Sequence, residues 1–87
     1  MTVWYSGRVQ GVGFRFAARQ VAMGFDAVGT VRNLEDGQVE LTAEGQQAEL
    51  EAFLAGIRDS GLRRFIRDER VSWGEASGEF KGFEIVR

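Results

Sequence analysis

Val3, Tyr5, Gly7 and Val9 alternate with Thr2, Trp4, Ser6 and Arg8 at the start of the chain, a period of two that predicts a strand over residues 2–9 with one face turned to a core. From Phe14 the period lengthens. Phe14, Ala17, Ala18, Val21, Ala22 and Phe25 share one helical stripe, and good helix formers continue to Gly24. Ala27 to Leu34 carries β-branched residues, and Glu35-Asp36-Gly37 supplies a tight turn. Val39, Leu41 and Ala43 then alternate with Gln38, Glu40, Thr42 and Glu44, so a hairpin is expected. After Gly45, helical spacing returns with Leu50, Phe53, Leu54 and Ile57. Glu49 and Glu51 lie in the early turns, where the helix dipole favours acids, and the helix is expected to end near Arg58. Arg67, Glu69, Val71 and Trp73 alternate in a fourth strand, and Phe83 to Val86 could add a short fifth one after the Ser77-Gly78 turn.

The order is βαββαβ. With right-handed crossovers it predicts an α+β fold, the ferredoxin-like sandwich, with an antiparallel sheet ordered 4-1-3-2 and both helices on one face. Strands one and two then run in the same direction with strand three between them. The turn after strand one and the end of strand two, where Asn33 sits, become neighbours.

Composition narrows the chemistry. Eighty-seven residues, 44% of them hydrophobic, predict one globular domain over residues 1–87. With neither cysteine nor histidine, the chain cannot use a thiolate or histidine nucleophile, a Ser-His-Asp triad or the usual zinc sites. A net charge of −2 argues against a nucleic-acid backbone as main partner. No secretory pattern or membrane-length apolar run is present, so a cytoplasmic monomer without a membrane partner is expected.

One segment stands out against this background. Gly7-Arg8-Val9-Gln10-Gly11-Val12-Gly13-Phe14-Arg15 follows the first strand and leads into the first helix. Without proline, Gln10, Gly11, Val12, Gly13, Phe14 and Arg15 all keep their N–H groups, and Gly11 and Gly13 permit the positive φ that turns successive N–H groups toward one anion. The helix N-terminus adds positive potential and Arg15 a planar donor fork. The pattern predicts a phosphate cradle, with no metal and no cofactor.

This segment and Gly29-Thr30-Val31-Arg32-Asn33-Leu34-Glu35-Asp36-Gly37-Gln38-Val39, with Gly45 closing the second motif, resemble the acylphosphatase family over nearly the whole chain. The resemblance implies that Arg15 binds the substrate phosphate and that Asn33 orients the attacking water. It also implies hydrolysis of a small acyl phosphate, with inorganic phosphate as product and inhibitor. Three positions depart from the usual family pattern: Tyr5 replaces an aliphatic residue, Thr30 an aromatic one, and Asp26 a glycine after the first helix. The first two are expected to alter packing; Asp26 is expected to tolerate a left-handed turn there.

The alternatives are blander or belong to another class. Arg8 and Arg32 read as exposed strand residues, Arg58, Arg63, Arg64, Arg67 and Arg70 as a solvated basic stretch, and Asp36 and Glu40 as hairpin polarity rather than metal ligands. An RNA-binding module shares the βαββαβ order, and Lys81-Gly82-Phe83-Glu84-Ile85-Val86 partly echoes the RNP1 signature. That signature belongs on the third strand, however, and here Gln38 to Glu44 has no aromatic residue.

Overall fold

A computed structural model describes all residues from Met1 to Arg87. The elements are β1 (Thr2–Gly7), α1 (Phe14–Ala22), β2 (Val28–Asn33), β3 (Val39–Glu44), α2 (Gln47–Arg58), β4 (Ile66–Ser72) and β5 (Phe83–Ile85), with a single 3-10 turn at Arg63–Phe65. The sheet order is β4-β1-β3-β2-β5. β3 runs antiparallel to both β1 and β2, so β1 and β2 point the same way, and β5 adds to the edge of β2 in parallel. The predicted order therefore holds and gains the short fifth strand, which makes the sheet mixed.

Alternation in the strands decides the two faces. Val3 and Tyr5 of β1, Val31 of β2, and Val39, Leu41 and Ala43 of β3 are fully buried against the helices. α1 contributes Phe14, Ala18 and Ala22, and α2 contributes Leu50, Phe53, Leu54 and Ile57. The opposite face is polar and cross-linked. Arg70 lies 4.7 Å over the Trp4 ring, Trp4 Nε1 donates to Glu40 (2.9 Å), and Arg32 Nε donates to the other Glu40 oxygen (2.9 Å), a ladder that spans β4, β1, β3 and β2. Phe83 points the other way, edge-on to Phe53 at 5.5 Å, so the aromatic of the RNP1-like segment is engaged with the core.

The end of β1 and the backbone at Asp26 differ from the expectation, each for a structural reason. β1 stops at Gly7, where φ is 124° and the register with β4 shifts; an added Cβ there would collide with the Phe65 carbonyl oxygen. Arg8 N–H then donates to that oxygen (2.9 Å), and Val9 stays buried outside the strand. Asp26 corrects an expectation: no residue other than glycine has positive φ, so Asp26 is not left-handed, and its N–H instead donates to Glu49 Oε1 (2.8 Å).

Tyr5 alters the packing in a specific way. Its ring lies 5.1 Å from that of Phe14, directly beneath the start of α1, and its hydroxyl is buried without a hydrogen-bond partner. Glu69 faces it in register on β4 and is held by Arg58 Nε (3.1 Å). Burial, and then the negative charge of Glu69, push the phenol's pKa well above its ordinary value. An unfolded chain ionises tyrosine near pH 10. The folded state keeps the proton above that pH, so the unfolded state binds fewer protons and stability falls as pH rises further. Tyr5→Phe keeps the ring and removes the orphan hydroxyl. It is expected to be neutral or stabilising by ~1 kcal/mol at pH 7 and to flatten the alkaline loss. Thermal melts at pH 7 and across pH 9–11 test this; a clear loss of stability at pH 7 would mean that the hydroxyl has a stabilising partner.

Candidate active site

The loop from Arg8 to Gly13 lies at the C-terminal end of β1 and opens directly into α1. Gly11 and Gly13 both have φ of 77°, in the left-handed region where other residues are strained. Gly13 is also the N-cap of α1 and offers no side-chain cap. Its carbonyl accepts the first bond of the helix, from Ala17 N–H at 3.0 Å. No backbone N–H from Gln10 through Phe16 donates to a protein acceptor. No acidic residue occupies the first turn of α1, so the positive end of the helix dipole is not offset by a side chain. Both features make the loop receptive to an anion.

Arg15 stands in that first turn, half-buried and paired with no carboxylate; the ion pairs of the chain are Arg32–Glu40 and Arg58–Glu69. Asn33 is the last residue of β2. Its register partner is the fully buried Val39, which turns its side chain to the same face as Val31. Its Oδ1 is buried with no hydrogen-bond partner. One cavity of about 170 Å³ brings these groups together, lined by Gly11, Gly13, Phe14, Arg15 and Asn33, with Val9, Phe16 and Ile85 completing the wall. Loop and strand end meet because β1 and β2 are parallel, one strand apart.

Gln10 has a role that the sequence did not disclose. Its side-chain Nε2 donates to the carbonyls of Leu34 (2.8 Å) and Gln38 (2.9 Å), clamping the turn after Asn33 to the cradle. Only its backbone N–H remains for an anion. The turn is stiffened internally by Leu34 N–H to Gln38 O (2.8 Å) and Gln38 N–H to Asp36 Oδ1 (3.0 Å). A glutamine in a loop of glycines and apolar residues was the available signal, but its partners lie 24 and 28 residues away. Phe16 and Ile85 were also missed, since neither carries chemistry. Val12 is exposed and lies outside the cavity wall, although its N–H is free. Arg8 is exposed, and Arg32 is engaged on the outer face.

The chain is similar to known proteins over nearly its whole length. The acylphosphatase family model matches residues 1–85. The chain is 41% identical over 86 residues to the acylphosphatase of Acidothermus cellulolyticus, across 95% of this chain and 82% of that protein. It superposes on the crystal structure of acylphosphatase from Bacillus subtilis with a TM-score of 0.89 and 31% identity, covering 99% of this chain and 96% of that one. Full-length HypF contains a similar segment, with a TM-score of 0.84 and 28% identity over 99% of this chain and 11% of that one.

Proposed function

The chain belongs to the acylphosphatase family and hydrolyses acyl phosphates to a carboxylate and inorganic phosphate, and on that premise we propose that the N–H groups of Gln10 to Arg15, with the Arg15 guanidinium, hold the phosphoryl group while Asn33 places the attacking water. The observation that carries this reading is the convergence on one cavity of an uncapped helix N-terminus, an unpaired arginine and an unpartnered carboxamide oxygen.

The leaving group explains why so few groups suffice. Attack of water on phosphorus expels a carboxylate whose conjugate acid has a pKa of about 4. Such a group departs without protonation. A phosphomonoester expels an alkoxide and commonly needs an acid, a metal or a covalent nucleophile. Phosphoryl transfer to water depends mostly on positioning and on stabilising charge spread over the equatorial phosphate oxygens. The cradle amides and Arg15 are aimed at that charge. Asn33 cannot act as a base at neutral pH, but its Oδ1 can accept from a water and its Nδ2 can donate to it.

The proposal needs no metal. Asp36 and Glu40 are already engaged, Asp36 with Gln38 N–H and Glu40 with Trp4 and Arg32. Phosphate release from acetyl or benzoyl phosphate is expected to be unchanged by a chelator, and glycerol phosphate is expected to be hydrolysed far more slowly. Loss of activity on chelation, restored by a divalent ion, would overturn the proposed site.

The same proposal describes one domain acting as a cytoplasmic monomer without nucleic-acid partners. A single core shared by both helices and the sheet supports the first part. The net charge of −2 supports the last, since binding a phosphodiester backbone favours a basic excess.

A further inference from the structure

The phosphate end of the substrate is accounted for by the cradle, but the cavity wall also carries apolar side chains that phosphate does not need. Phe16 is 59% exposed and Ile85 38% exposed. Phe16 lies off the buried stripe of α1, which runs through Phe14, Ala18 and Ala22, so its ring contributes little to the core. Ile85 comes from the edge strand β5, in register with Val31, and lines the same cavity. Val12, 37% exposed, stands on the cradle loop between Gly11 and Gly13. Three of the five large hydrophobic residues that the chain exposes are thus gathered around the cradle. Single exposed apolar residues are ordinary, but a cluster bordering a polar cavity marks a binding surface.

Covalent geometry decides what that surface meets. The acyl carbon is one bridging oxygen from phosphorus, so a substrate seated in the cradle must place its acyl group at the mouth of the same cavity. In-line displacement puts water and departing carboxylate on opposite sides of phosphorus. Asn33 takes the water side, and of the remaining lining only Phe16 and Ile85 present exposed apolar side chains to the acyl group. We infer that Phe16, with Ile85 closing the mouth, contacts the acyl group and makes this enzyme selective for acyl phosphates with an apolar, aryl-sized acyl chain over those with a methyl or a charged one. The inference rests on the phosphate site proposed above and adds to it the class of acyl group.

The test compares benzoyl phosphate with acetyl phosphate, in wild type and in Phe16→Ala, Phe16→Leu and Ile85→Ala. The readout is the change that each substitution makes in the ratio of kcat/KM values, so that the intrinsic reactivity of the two substrates cancels. The expected ratio, benzoyl over acetyl, falls about tenfold in Phe16→Ala, the usual scale for losing part of an apolar contact, and is partly restored in Phe16→Leu. The loss is carried by KM rather than kcat. A smaller fall is expected for Ile85→Ala. Inhibition by inorganic phosphate, which has no acyl group, reports in each variant whether the cradle is intact. If Phe16→Ala lowers both substrates alike with phosphate inhibition preserved, the acyl assignment is overturned while the phosphate site stands. If wild type hydrolyses neither substrate, both fall together.

Discussion

Arg15→Ala is expected to lower kcat/KM for an acyl phosphate by about 10²–10³-fold or more, ~3–4 kcal/mol of transition-state stabilisation, the scale for one preorganised donor aimed at developing charge. It is also expected to weaken inhibition by inorganic phosphate, because the guanidinium contacts the phosphoryl oxygens in ground state and transition state alike. Arg15→Lys should recover little. An ammonium restores the charge but not the planar fork that engages two oxygens at once. The loss should come without loss of stability: Arg15 has no carboxylate partner to orphan, and it stands at the positive end of α1, where its own charge opposes the dipole. Steady-state kinetics, a phosphate inhibition constant and a thermal melt for each variant test the three parts. An Arg15→Ala enzyme with near-normal phosphate inhibition would remove Arg15 from the site.

The legible parts of this protein were those written locally. Period-two alternation in residues 2–9 and 38–44 fixed which side chains of β1 and β3 face the helices, and the helical stripe from Phe14 to Phe25 did the same for α1. The cradle was legible because glycine at positions 11 and 13 has a local steric meaning that φ of 77° then realises. Asn33 was reached by topology: only the deduced parallel relation of β1 and β2 brings it to the loop. What escaped was non-local. Gln10 stands out in its loop, but the two carbonyls its amide binds lie 24 and 28 residues away, and nothing in Phe83-Glu84-Ile85 announces that β5 will pair in parallel with β2 and bring Ile85 to the site. Asp26 failed for a related reason. Its tolerance of the left-handed region was real but unused, since Glu49, 23 residues away, supplied an acceptor for its N–H and the backbone did not need to invert.

Asn33 is expected to separate turnover from binding and both from stability. Its Oδ1 is buried without a partner, a condition that costs about 1–3 kcal/mol where nothing satisfies the group. A residue kept for folding would be poorly served by that arrangement; a residue kept to hold a water is well served by it. Asn33→Leu, with the same branching and number of side-chain heavy atoms and free of the orphan polar group, should therefore fold with equal or greater stability. It should nevertheless lose ~100-fold or more in kcat, the scale of effect when a reacting group loses its positioning. Inhibition by inorganic phosphate should change little, because the cradle amides and Arg15 remain. Asn33→Asp supplies the control. It keeps the size and the acceptors but brings a carboxylate to the dianion, so phosphate inhibition should weaken in this variant and not in Asn33→Leu. Measuring kcat, the phosphate inhibition constant and the melting temperature for the two variants discriminates the roles. Near-normal kcat in Asn33→Leu would show that the residue merely ends a strand, whereas a stable, phosphate-binding and nearly inactive protein is the signature of a group whose partner is the attacking water.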